Sequence, residues 1–470
     1  MEITPFLRLA VVISFIALIH SVPFANQTAH AATITVDRDC RLIDAIRSAN
    51  DDQAYSGCEA GVGEDTIVLA RNVTLIEAAD HTDGETGLPP ITSPITIDGQ
   101  GFEIGRASDA PVFRIFLVLN DPNFQMAGNL TLINVTISGG DGWQNPTIME
   151  GGAIKNQGGT ITLIESRIEG NRGSWAYNAA GILNIGGTLT TSKSVFEGNL
   201  GDAIRNCDGG TTTITGTLFS ENVGSIFNCK DSNVTIEESG FVDNVTTEMG
   251  FGGGGGIENE GTMTVYNTVF YRNEMTVFNA FYGHLTIDGS LFADNIGNVV
   301  ENSGFLSVVN STLSGNGGAA ILNTVSLAGL PIKTSIIHST IYNNNQDVGE
   351  SQGGVVTDGG ELTIHNTIIA ENIGGDCLKL TAYIVVTGDA NLDSDGSCPN
   401  SQHLEGLDPI LADHGGPTKT HALLEGSNAI EAGHLPACTQ MDERGAPRTN
   451  VCDIGAFEFG AELPEPTPTP

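Results

Sequence analysis

The sequence predicts an all-β chain, a single-stranded right-handed parallel β-helix with a short N-terminal capping helix. Two interleaved asparagine series carry that prediction, together with the short alternating stretches between them. In the first series an apolar residue, two variable residues and an Asn recur: Ile168 to Asn171, Phe196 to Asn199, Phe219 to Asn222, Phe241 to Asn244, Phe270 to Asn273, Phe292 to Asn295, Leu313 to Asn316, Ile341 to Asn344 and Ile369 to Asn372. Successive Asn residues lie 28, 23, 22, 29, 22, 21, 28 and 28 apart, which sets a base period near 22. The second series reads apolar-x-Asn, at Ile154 to Asn156, Ile204 to Asn206, Ile226 to Asn228, Ile257 to Asn259, Val277 to Asn279 and Val300 to Asn302, with Asn184 and Asn323 following a leucine. Between the series, stretches such as Thr160-Ile161-Thr162-Leu163 and Thr212-Thr213-Ile214-Thr215 alternate at period two, the pattern of half-buried strands.

Short strands, tight turns and a period near 22 describe coils in which each strand pairs with its equivalent one coil away, about 4.8 Å distant. No coil buries its apolar side chains alone, so the core is built by stacking. Asn suits the turns because it tolerates a left-handed backbone, and stacked amides are expected to bond in ladders. A leucine-rich horseshoe has a similar period, but its leucine-spaced consensus is absent. The coils are expected over residues 65–400, about a dozen of them.

The composition fits. Sixty glycines and 40% apolar residues exclude disorder and disfavour a helical protein. A formal net charge of −37 repels nucleic acid and anionic lipid, which excludes both as partners by simple attraction. The first residues read as a leader: an apolar run from Leu9 to Ile19 follows Arg8, and Ala29-His30-Ala31 offers a cleavage site after Ala31. Residues 1–31 are therefore assigned to a signal peptide. No later segment is long and apolar enough to span a membrane.

Export makes disulfides plausible, and the eight cysteines fall in four neighbouring pairs: Cys40-Cys58, Cys207-Cys229, Cys377-Cys398 and Cys438-Cys452. Cys207 and Cys229 each follow an Asn of the second series and lie 22 apart, so they should stack on adjacent coils. The other three pairings rest on proximity in the chain. No CxxC is present, which disfavours zinc.

Residues 40–50 look helical, with Leu42, Ile43, Ile46 and Ala49 on one face, suited to covering the first coil. Here Cys40-Arg41-Leu42-Ile43-Asp44-Ala45-Ile46 resembles the Cys-Ser-Leu-Arg-Glu-Ala motif of the CSLREA domain that opens many bacterial surface β-helix proteins. Arg41, Ile43 and Asp44 depart from it. The strand Glu64-Asp65-Thr66-Ile67-Val68-Leu69 is similar to the one that follows that motif. Near the C-terminus, Asp413-His414-Gly415-Gly416-Pro417, Asp442-Glu443-Arg444-Gly445 and Cys452-Asp453-Ile454-Gly455-Ala456-Phe457-Glu458 are similar to the closing segment of bacterial choice-of-anchor Q surface proteins. The Phe-x-x-Asn repeats also resemble those of polymorphic outer-membrane proteins, which are adhesin-like. These resemblances imply residues 32–64 as an N-terminal cap, 401–459 as a closing segment, and a cell-surface or extracellular location. The Pro-rich tail 460–470 reads as a wall or linker segment.

Three classes of function are weighed. The first is non-catalytic adhesion or binding to a polysaccharide or cell-surface component, with no cofactor. Its candidate contact strip is Trp143, Trp175, Tyr177 and Phe251, with Met249, on loops inserted where the coil spacing grows to 28 or 29. The second is a secreted polysaccharide lyase or glycoside hydrolase. Polygalacturonase-type Asn-Thr-Asp and Arg-Ile-Lys motifs are absent, and no catalytic residue is assigned. Arg205, beside the second Asn series, is read as structural. The third is a structural envelope spacer. Calcium is admissible on an acidic surface but has no motif. The histidines His403, His414, His421 and His434 match no compact metal spacing and are read as structural.

Overall fold

The computed structural model describes residues 31–121, 126–142, 151–173, 179–246, 255–324, 331–346, 353–380 and 385–464. Residues 1–30, which hold nearly all of the expected leader, and Trp143, Trp175, Tyr177, Met249 and Phe251 lie outside the described residues.

The molecule is a right-handed parallel β-helix of three sheets. A complete coil contributes one strand to each sheet, as Thr211–Thr215, Leu218–Ser220 and Ile226–Asn228 do for the first, third and second sheets. Among the described residues the first and third sheets hold 14 strands each and the second holds 12. Thirteen intervals at about 4.8 Å give a length of roughly 60 Å. The coils begin earlier than residue 65, because Thr33–Val36 pairs in parallel with Asp65–Leu69. Helix Leu42–Asp51 leaves between those two strands and buries Leu42, Ala45, Ile46 and Ala49. Cys40–Cys58 pins it, and Asn50 Nδ2 donates to the Pro90 carbonyl at 2.7 Å.

Both Asn series form ladders. In the first, each Nδ2 donates to the next Oδ1 from Asn171 through Asn199, Asn222, Asn244, Asn273, Asn295, Asn316 and Asn344 to Asn372, at 2.7–3.1 Å. The backbone corrects one expectation. The left-handed residue of this turn is the one before the ladder Asn, for example Asp243 with φ 55° and Arg272 with φ 54°. The ladder Asn keeps an ordinary backbone, which turns its amide inward to bond neighbours on both sides. The second ladder runs from Asn156 to Asn323 at 2.7–3.2 Å. Its ends are frayed in the way its polarity dictates. Val118 precedes Asn156 in register and cannot donate, and Asn156 Oδ1 has no partner. At the other end Asn323 Nδ2 has no acceptor.

A third ladder was not foreseen. After eight of the first-sheet strands a left-handed residue precedes a Ser or Thr whose hydroxyl accepts the backbone N–H of its equivalent one coil back. Ser166, Ser194, Ser239, Thr268, Ser290, Ser311, Ser339 and Thr367 all take part. Inside, Phe196, Phe219, Phe241, Phe270 and Phe292 stack with centroids 4.4–4.9 Å apart. Ile168 and Leu313 end that stack in register.

Residues 404–459 fold back along the flank of the third sheet rather than across the open end. Thr418 meets the Gly289 carbonyl, Thr439 meets Asn310, Ala456 N–H donates to Thr340 Oγ1 at 3.1 Å, and Gly455 N–H donates to the Asn366 carbonyl at 2.8 Å. The third-sheet strands beneath, Thr312–Ser314 and Ile368–Ala370, are accordingly buried on both faces. Charged groups lock the segment internally. Arg448, with a side chain 1% exposed, pairs with Glu458 at 3.1 Å, and Arg444 pairs with Asp442 at 2.6 Å over the Phe457 ring. Among the described residues no helix is long and apolar enough to cross a membrane.

Candidate functional site

In the second sheet the residue between the apolar position and the ladder Asn points outward. In-register pairing places these residues in one row along the solenoid: Leu183, Arg205, Phe227, Glu258, Phe278, Glu301 and Leu322. Two phenyl rings thus alternate with two acids, one residue per coil, behind an arginine. Inward-facing Ile204, Ile226, Ile257, Val277 and Val300 and the Asn ladder hold the strands, so the row is fixed to the strand spacing.

The geometry at its head is specific. Arg205 Nη1 donates to Asp202 Oδ2 at 2.7 Å, and its guanidinium lies 3.8 Å from the Phe227 ring centroid. Gly224, at φ 84°, gives Asp202 room, since a Cβ there would stand 2.9 Å from its carboxylate. Glu258 is 5% exposed, and among the described residues its Oε2 has no hydrogen-bond partner. Burial, followed by the charges of Asp202 and Glu260, pushes its carboxyl up to about 8. Burial also raises Asp202, against the pull of Arg205. Further along, Asn298 Nδ2 donates to Glu301 Oε1 at 2.8 Å, while its Oδ1 accepts the Ala319 N–H at 3.0 Å. Beside the row, the Cys207–Cys229 disulfide ties two adjacent coils, and Lys230 lies over the Tyr282 ring at 4.4 Å.

Such a row can do two things. The half-buried Phe227 and Phe278 rings, about 10 Å apart over two coils, offer apolar surface for contact, Arg205 covering one face of Phe227. The carboxyls and Asn298 supply hydrogen-bonding groups between them. A protonated Glu258 both donates and accepts.

The strip expected at Trp143, Trp175, Tyr177 and Phe251 lies outside the described residues, but its surroundings are defined. Asp141 pairs with Arg172 and Gly151 with Ala179, on adjacent coils at the turn from the third to the second sheet. Segments 143–150 and 174–178 are therefore bracketed by residues that lead into the second sheet. Arg205, read from sequence as structural, belongs to the row. Glu258 and Glu301 were passed over, although a charged residue inside an otherwise apolar-x-Asn triplet was a usable signal.

The four C-terminal histidines have separate surroundings. His421 bonds Ser314 at 2.8 Å and the Asp408 carbonyl at 2.9 Å, His414 meets the Phe457 ring edge, and His434 stacks near His365. His403 ends the strand Ser401–His403. The cysteines form four disulfides, Cys40–Cys58, Cys207–Cys229, Cys377–Cys398 and Cys438–Cys452, which fit an oxidising compartment.

The chain is thus a disulfide-bonded right-handed parallel β-helix with an aromatic and acidic row on one face. No protein-family model and no curated protein matches the sequence. Among solved structures it is similar to the crystal structure of pectate lyase Pel9A, with 15% identity and a TM-score of 0.39 over 91% of this chain and 96% of that one.

Proposed function

We propose that this chain is an exported surface or matrix protein that holds a glycan chain along its second sheet. The carrying observation is the row Arg205, Phe227, Glu258, Phe278 and Glu301, in which rings alternate with polar groups at the coil spacing. Sugar rings present apolar faces to aromatics and hydroxyls to carboxylates, so an extended chain parallel to the solenoid axis meets both in turn. The resemblance to CSLREA and choice-of-anchor Q surface proteins supports the location, as do the disulfides. Trp143, Trp175, Tyr177 and Phe251 belong to the same proposal as further aromatic contacts for the glycan.

One observation favours a second reading, hydrolysis. Glu258 stays protonated near neutral pH, as a general acid requires. Glu301 stands two coils away, about 10 Å at the backbone, close to the roughly 6.5–9.5 Å between the carboxyls of inverting glycosidases. In that case Glu258 would protonate the departing glycosidic oxygen while Glu301 took a proton from the attacking water.

A glycan array probed with the mature protein, with product analysis of every retained glycan, tests both readings. Retention that disappears in Phe227→Ala and Phe278→Ala, with no new reducing ends, supports the binder. New reducing ends abolished in Glu258→Gln support the hydrolase. Retention unchanged in both Phe variants removes the second-sheet site.

A further inference from the structure

The outer face of the first sheet carries a different pattern, shared with no residue of the second-sheet row. Its central outward position is occupied by a hydroxyl residue in all 14 strands. In register these are Thr33, Thr66, Thr96, Thr131, Thr162, Thr190, Thr213, Thr235, Thr264, Thr286, Ser307, Ser335, Thr363 and Thr387. From residue 129 to residue 264 a second rank stands two residues earlier on each strand, made of Asn129, Thr160, Thr188, Thr211, Asn233 and Thr262. The two ranks therefore repeat at about 4.8 Å along the solenoid and about 6.7 Å along the strand. No register shift interrupts the pairing across these strands.

Strand propensity alone does not account for this. Threonine favours strands, but so do Val, Ile and Tyr. The third outward rank shows what propensity and solubility permit on the same strands, since it holds Ile133, Ile164, Ser192, Thr215, Glu237 and Tyr266. These two ranks carry no charge over the same six strands, in a chain of 56 acids and 19 bases. Within these two ranks, charge and aromatic rings enter only at the C-terminal end, where His284 stacks on Phe305 at 4.5 Å and Lys333 pairs with Glu361 at 2.9 Å.

We propose that these two neutral ranks, ten of whose twelve residues over these six strands are threonines, form an ice-binding face. A neutral surface in a strongly acidic protein is complementary to a neutral partner. One group repeated at fixed spacings in two directions, interrupted only by Asn129 and Asn233, matches a crystal lattice better than a discrete molecule. Hexagonal ice repeats its oxygen positions on a spacing close to that of paired strands. Each threonine presents a hydroxyl and a methyl, and its branched Cβ restricts χ1, so both groups stand in register from coil to coil. Hydroxyls anchor water at the lattice repeat, while methyls line the troughs between ranks. Immobilising a water molecule at a surface costs entropy. On ice that ordering already exists, so a pre-aligned array adheres there and not to liquid water.

The test uses the mature chain in ice-shell partition and ice-recrystallisation assays. The protein should enter the growing ice and halt recrystallisation. Thr190→Lys with Thr213→Lys, which project to solvent, should leave circular dichroism unchanged and abolish both effects. Glu237→Lys, on the third rank, should retain them. Exclusion of the wild-type chain from ice would overturn the proposal, as would activity surviving in the double variant. Retention on crystalline cellulose or chitin without ice activity would overturn it as well.

Discussion

Asn222→Ala removes the middle of the first ladder, and its cost can be worked from the bonds it makes. Asn222 Nδ2 donates to the Phe196 carbonyl at 2.9 Å and to Asn244 Oδ1 at 3.0 Å. Its Oδ1 accepts from the Asn199 backbone N–H at 3.1 Å and from Asn199 Nδ2 at 2.9 Å. Alanine deletes all four. Asn244 Oδ1 keeps the Asn222 backbone N–H, also at 3.0 Å. The Asn199 N–H and one Asn199 amide proton are then left unpaired in a fully buried site, while the Phe196 carbonyl loses one of its donors. At about 1–3 kcal/mol for each orphaned group, less what a water in the vacated space restores, the loss is about 2–5 kcal/mol. Urea denaturation followed by circular dichroism should show a lower midpoint at unchanged slope. Native-state exchange should show the loss centred on the coils of Asn199 and Asn244. Thr213→Ala, on the exposed face of the same coils, should stay within about 0.5 kcal/mol. A cost for Asn222→Ala below about 1 kcal/mol would refute the ladder as a stabilising element.

Three further outcomes follow from the same structure. His338 is buried and uncharged, pushed down to about 3 from 6.5 first by burial and then by Arg448. The unfolded chain therefore takes up a proton that the folded chain refuses, and stability should fall as pH drops from 6.5 towards 3. Burial holds Glu258 and Glu443 at about 8, so the folded chain keeps protons that the unfolded chain releases above 4.5, and stability should also fall as pH rises towards 8. Urea midpoints across pH should show both limbs, and Glu258→Gln with Glu443→Gln should flatten the alkaline one. Arg448→Ala leaves Glu458 buried without its partner and should cost roughly 3–5 kcal/mol. Limited proteolysis should then release residues 404–459 while the coils stay intact. Trp143→Ala with Trp175→Ala should fold normally and lose glycan or cell binding; intact binding would remove those rings from the site.

How much of this was legible depended on whether a residue's role was repeated. Asn199, Asn222 and Asn244 recur at the coil spacing with an apolar partner, so the period, the ladders and the Cys207–Cys229 stacking could be read directly. The hydroxyl ladder of Ser239, Thr268 and Ser290 is just as regular. It stayed hidden because Ser and Thr are abundant and carry no apolar signature. The left-handed position was misplaced by one residue, because Asn was credited with the turn when its amide was needed for the ladder and Asp243 or Arg272 took the φ. The docking of residues 404–459 on the third sheet depends on pairings more than a hundred residues apart, such as Thr312 with Thr420, which no local pattern announces. The second-sheet row was overlooked for the opposite reason. Glu258 and Glu301 interrupt a repeat, and only the fold shows that the interrupted positions are neighbours.

The most direct test of the second-sheet site is a crystal structure of the mature protein soaked with the oligosaccharide that the array retains best. The account predicts sugar density lying along the solenoid over Phe227 and Phe278, with a hydroxyl within hydrogen-bond distance of Glu258 or Glu301. Ordered sugar on the first sheet or along the third-sheet flank, with Phe278 left bare, would contradict it.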